Sequence, residues 1–201
     1  MPTSRLEAFS DAVMAIAITL MALEIDLPTS GQSGLWHGLA AQWPAFAAYA
    51  VSFFTIGTIW VNHHLLFDRM AKVDRALLYL NLLLLMLVAL LPLPTALVAE
   101  YLRHGTNARA AAVLYSGALL AMGLIYSGLA HYAARVQHLR ADRLTPAQRR
   151  AVIVSNLVGQ GGYVLAILLA WISAPASLAM CGAVGIYYAL PGRMPRGIPS
   201  G

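Results

Sequence analysis

A chain of 201 residues that is 60% hydrophobic and only 10% charged has too little charge to cover a soluble domain, which averages roughly a quarter charged residues. Apolar runs longer than the ~20 residues a bilayer requires, and a mean hydropathy of +0.69, make it an all-α, polytopic membrane protein. Its net charge of +5 reads as loop charge that sets orientation, not as a nucleic-acid surface.

Continuous stretches such as LLYLNLLLLMLVALL are the opposite of the alternating ~10-residue segments of a membrane barrel. Cys181 is the single cysteine, so neither a disulfide framework nor a multi-cysteine metal site forms within one chain. The first apolar run is longer than a signal peptide's core and follows acidic residues, so no cleavable leader is expected.

Six spans are expected, taken in chain order. The first covers about residues 5–27 and stops at Pro28. LWHGLAAQW, residues 35–43, is too short to cross, and its terminal tryptophans suit an interfacial helix. The second span covers about 44–67 and the third about 76–99, with Pro92 and Pro94 expected to kink its outer half. The fourth covers about 110–134, the fifth about 151–172 after a helix restart at Pro146, and the sixth about 178–190 after a tight turn at Pro175. Residues 1–191 would then form one six-helix unit, with 192–201 a disordered tail.

Arginine and lysine fall unequally on the two sides of this arrangement. Arg5, Arg69, Lys72, Arg75, Arg135, Arg140, Arg143, Arg149, Arg150, Arg193 and Arg196 share one side, and only Arg103 and Arg109 lie on the other. The positive-inside rule places both termini in the cytoplasm, as an even span count requires.

The first span carries polar residues where hydrocarbon begins. RLEAFSD supplies Arg5, Glu7, Ser10 and Asp11 directly before AVMAIAITLMAL. Ionisable groups at such a boundary face a bundle interior or water. Further along, Ile16, Leu20 and Leu23 fall at i, i+4 and i+7 with Thr19 beside them, which makes one stripe. Glu24 and Asp26 make the far end acidic. The stripe suits plain helix packing as well as pore lining, and a structural salt bridge from Arg5 to Asp11 would also account for the boundary charges.

A second polar cluster, IWVNHHLLFDR, ends the second span on the same side of the membrane. Trp60 and His64 stand at i and i+4 and share a face. Indole and imidazole N–H groups there would bond the Ser10 hydroxyl and the Asp11 carboxylate, as a polar buckle between the first two spans. A metal site is disfavoured, because adjacent His63 and His64 point about 100° apart on a helix.

The Arg-x-x-x-Phe-Ser-Asp pattern of Arg5, Phe9, Ser10 and Asp11, opening the first of six helices and joined by FSDAVMAIAITLMALEI and the Trp60/His64 pair, resembles the transmembrane protein 175 family of potassium channels. The resemblance is strongest over residues 5–27 and 60–64.

The resemblance implies a homotetramer in a cell membrane, with a central pore lined by the first helix and no carbonyl filter. It places the constriction at Ile16, further layers at Leu20 and Leu23, and a polar position at Thr19. It makes Arg5, Ser10 and Asp11 structural, networked with Trp60 and His64. Glu24 and Asp26 would gather cations at the outer mouth. No cofactor and no metal is implied; the permeating ions are potassium and other monovalent cations such as sodium.

The runner-up is a proton-coupled carrier using Asp11, His63 and His64, against which stand the missing internal repeat and broken midplane helix. An enzyme is disfavoured, because Asn156, Gln160 and Tyr163 offer no nucleophile–base pair. SNLVGQGGY reads as close helix packing through its glycines.

Overall fold

The computed structural model describes residues 3–25, 34–103, 105–136 and 145–189. Asp26 and the tail 192–201, for which expectations were stated, lie outside them. Among the described residues there are eight helices: α1 Thr3–Leu23, α2 Leu35–Ala41, α3 Trp43–Asp68, α4 Arg75–Leu90, α5 Pro92–Tyr101, α6 Gly105–Arg135, α7 Pro146–Ala170 and α8 Ala174–Ala189. Five stretches are long and apolar enough to cross a membrane: α1, α3, α4 with α5, most of α6, and the apolar part of α7. The sixth expected span corresponds to α8, a shorter apolar helix of 16 residues.

Local chemistry sets the helix boundaries. Pro44 occupies the first turn of α3, where its missing N–H costs nothing. Asp74 caps α4 by accepting the Leu77 amide at 2.9 Å, and its second carboxylate oxygen accepts the Tyr132 hydroxyl of α6 at 2.5 Å. The third span is not continuous. It changes from α4 to α5 at Leu91, whose backbone stays helical at φ −59 and ψ −31. Pro92 and Pro94 lack the amides that would bond back to the preceding turn, so the hydrogen-bond ladder breaks while the axis carries on. At the other turn, Ser173 caps α8 by accepting the Ala176 amide at 3.3 Å. Pro175 therefore lies inside the first turn of α8, not in a tight turn before it.

Two helix groups pack together. α1 lies against α3, α4 and α5, while α6, α7 and α8 pack on one another, and α3, α4 and α5 join the groups. The α7–α8 contact depends on glycine. A Cβ on Gly162 would collide with Val184 Cγ2, and one on Gly159 would collide with the Tyr188 ring and hydroxyl. The glycines of SNLVGQGGY thus let the two helices approach closely, as small residues do in membrane interfaces. The main core is buried around Met14, Met21, Ile56, Val88, Tyr115 and Leu119. A smaller cluster at the α1 N-terminal end holds Phe67, Leu77, Leu84 and Leu129.

Candidate functional site

The two sides of α1 differ sharply. Ser10, Met14, Ala17 and Met21 are buried against the bundle. Phe9, Ile16, Leu20 and Leu23 are exposed at 50, 57, 46 and 80% of their surface. At about 100° per residue, Arg5, Phe9, Ile16, Leu20 and Leu23 fall on one face, and the buried residues lie roughly 130° round the helix from it. Arg5 and Thr19 are exposed too. Thr19 donates its hydroxyl proton to the Ile16 carbonyl at 2.9 Å, which leaves only its oxygen lone pairs to face outward.

A hydrogen-bonded chain holds the buried face. Ser10 donates to its own Leu6 carbonyl at 2.8 Å. The Asn81 amide of α4 donates to Ser10 Oγ at 3.0 Å. The Asn81 carbonyl oxygen then faces His63 Nε2 of α3 at 2.7 Å, so that nitrogen carries the proton. Each group in the chain from His63 to Asn81 to Ser10 donates in the same direction, an arrangement that strengthens each bond. Ser10, His63 and Asn81 are all buried, and the three belong to three different helices.

Beside this chain, Trp60 Nε1 donates to Asp11 Oδ1 at 2.8 Å. His64 stacks on the Trp60 ring with centroids 6.2 Å apart and planes inclined by 18°. The indole therefore meets the aspartate directly, whereas imidazole reaches Ser10 only through Asn81. That imidazole belongs to His63, while His64 is exposed. Arg5 and Asp11 do not share a face of α1, since a six-residue separation leaves them about 120° apart round the helix.

Asn81 lies outside the two polar clusters of the sequence, and its signal is that a lone amide within a leucine run must face a protein interior. A second buried node was equally hidden. Ser52 Oγ lies 2.8 Å from both Thr95 Oγ1 and Tyr115 Oη, and Thr95 also contacts the Met21 sulfur at 3.6 Å. This node links α1, α3, α5 and α6 near the helix break.

At the C-terminal end of α1, Glu24 is exposed and lines a recess of about 680 Å³ with Gln42, Glu100 and Arg103. No group of three or more histidine, cysteine, aspartate or glutamate residues able to hold a metal is found among the described residues.

Comparisons with known proteins converge on one family. A family model described as "Endosomal/lysosomal potassium channel TMEM175" matches residues 5–92, the segment that holds both halves of the Ser10–Asn81–His63 chain. A protein of Streptomyces collinus named as a potassium channel is 49% identical over 187 residues, covering 92% of this chain and 91% of its own length. One from Chamaesiphon minutus, also named as a potassium channel, is 42% identical over 191 residues and 94% of both chains. The crystal structure of a lysosomal potassium-selective channel TMEM175 homologue from Chamaesiphon minutus superposes with a TM-score of 0.81 at 41% identity, over 93% of this chain and 96% of that one.

Proposed function

Because the chain belongs to the TMEM175 family of potassium channels, we propose that four copies assemble about an axis and line a central pore with the outward face of α1. The protein is a potassium-permeable ion channel of the membrane and not an enzyme. The finer reading rests on one observation: the face of α1 that carries Ile16, Leu20 and Leu23 is left uncovered by its own chain, while the opposite face is locked by hydrogen bonds to α3 and α4.

In this reading α8 is the sixth span, and both termini lie on the cytoplasmic side of a cell membrane. Four Ile16 side chains form an apolar ring. When the ring is narrow, water leaves it and ions stop; a slight rotation or widening of α1 rewets it. Leu20 and Leu23 extend the apolar lining outward. Thr19, with its proton committed to the Ile16 carbonyl, offers oxygen lone pairs to a partly dehydrated cation. Potassium sheds water more readily than sodium, so a constriction of this kind gives weak to moderate selectivity, short of what a carbonyl filter achieves. Glu24 and Asp26, four of each, raise the cation concentration at the outer mouth.

Arg5, Phe9, Ser10, Asp11, Trp60 and His64 serve the position of α1 rather than the ion. Ser10 stands six residues before Ile16, so tethering Ser10 to Asn81 fixes the direction in which Ile16 points.

The test is potassium flux into liposomes from the purified protein and its Ile16→Asn variant. A polar ring holds water, so flux should rise. Flux equal to that of the unaltered protein would remove Ile16 from the constriction.

A further inference from the structure

A groove of about 470 Å³ lies between α6 and α7, away from the outward face of α1. Its α6 wall is the stripe Leu124, Ser127, Gly128, His131 and Arg135, spaced at helical intervals. Its α7 wall is Ile153, Leu157 and Gln160, and Arg150 stands one turn before Ile153 on the same face, exposed. α6 and α7 are antiparallel neighbours. The C-terminal end of α6 and the N-terminal end of α7 therefore bring Arg135, His131 and Arg150 to one end of the groove.

The chemistry changes along the groove. The deep part is walled by Leu124, Leu157 and Ile153, all exposed to the surroundings of the bundle. One turn above Gly128 the walls become basic. Among the described residues no acidic side chain lines the groove, and none pairs with His131 or Arg135. From Leu124 to Arg135 the stripe rises roughly 16 Å, about the depth of one leaflet of a bilayer whose hydrocarbon is ~30 Å thick. The basic end is the end of the bundle that also carries Arg69, Lys72 and Arg75, the side the charge rule assigns to the anionic cytoplasmic leaflet.

We propose that this groove is a binding site for an anionic glycerophospholipid, with one acyl chain along Leu124, Gly128 and Leu157 and the phosphate at His131, Arg135 and Arg150. Charge decides the occupant. A phosphodiester supplies negative charge to the basic end of the groove, and its tail supplies apolar contact to the deep end. Ser127 lies about 6 Å deeper than His131, at the level of the lipid esters. It accepts the Gln160 amide at 2.7 Å and keeps a hydroxyl proton to donate to an ester carbonyl.

Gly128 provides a clean probe. A Cβ added there meets nothing within 4 Å, so a side chain can start into the groove from this position, and leucine favours helix over glycine.

The experiment reads retained lipid by native mass spectrometry. The purified oligomer is incubated with phosphatidylglycerol or with phosphatidylcholine of the same acyl chains. Phosphatidylglycerol should be retained preferentially. Arg135→Gln should weaken that retention about fivefold, the loss expected for one basic residue near an anionic headgroup. Gly128→Leu should abolish it without lowering the lipid-free thermal unfolding midpoint. Equal retention of the two lipids, or undiminished retention in both variants, would overturn the proposal. So would loss of the oligomer in Gly128→Leu, which would show that a second copy covers the groove. Ion flux is not read, so the outcome is independent of the pore assignment.

Discussion

Replacing Asn81 with alanine tests whether the buried chain of donors holds α1 in place. The substitution removes two interhelical hydrogen bonds, the 2.7 Å contact to His63 and the 3.0 Å contact to Ser10. Such bonds average about 0.6 kcal/mol in a membrane protein and reach about 1.7. Both lost partners are buried, but they are stranded unequally. Ser10 keeps its bond to the Leu6 carbonyl, whereas His63 Nε2 is left with no acceptor, which costs about 1–3 kcal/mol. The expected total is therefore about 2–4 kcal/mol, measured by reversible unfolding in mixed detergent micelles. A double-mutant cycle with Ser10→Ala isolates the α1–α4 link, and a coupling near 1 kcal/mol is expected. A loss below about 0.5 kcal/mol for Asn81→Ala would place it among ordinary surface changes and refute the claim that this chain anchors α1.

Three further expectations follow from the same geometry. Trp60→Phe keeps the ring against His64 but removes the 2.8 Å bond to Asp11, so it should cost about 0.5–1.5 kcal/mol; adding Asp11→Ala should then cost little more in the same unfolding measurement. Gly162→Ala puts a methyl against Val184 Cγ2 and should destabilise by about 1–3 kcal/mol, with most of that recovered in the Gly162→Ala/Val184→Ala pair; no recovery would mean that the α7–α8 approach is not what the glycine serves. Glu24→Gln should reduce potassium current in low-salt bilayer recordings and converge with the unaltered protein near 1 M salt, where the Debye length is about 3 Å; a reduction that persists at high salt would make Glu24 a direct ligand and not a source of field.

Hydropathy alone locates, to within a few residues, the five stretches long and apolar enough to cross a membrane, because the cost of exposing backbone and charge to lipid adds up along the chain and needs no knowledge of neighbours. The glycines of SNLVGQGGY and the proximity of Trp60 to Asp11 were legible for related reasons, since small residues and boundary polar groups have few uses in hydrocarbon.

Partner choice was not legible. The amide of Asn81 turns one side of a leucine run inward, but only the packing of α4 beside α1 and α3 selects Ser10 and His63 as its partners. Ser52, Thr95 and Tyr115 come from three separate helices, and no spacing within one helix reports their meeting. The same limit governs α1. Its stripe of Ile16, Leu20 and Leu23 can be read off the sequence, but whether that stripe is covered by its own chain depends on how the helix is rolled in the bundle. The roll is set by long-range hydrogen bonds and side-chain volumes, which exist only once the helices have come together.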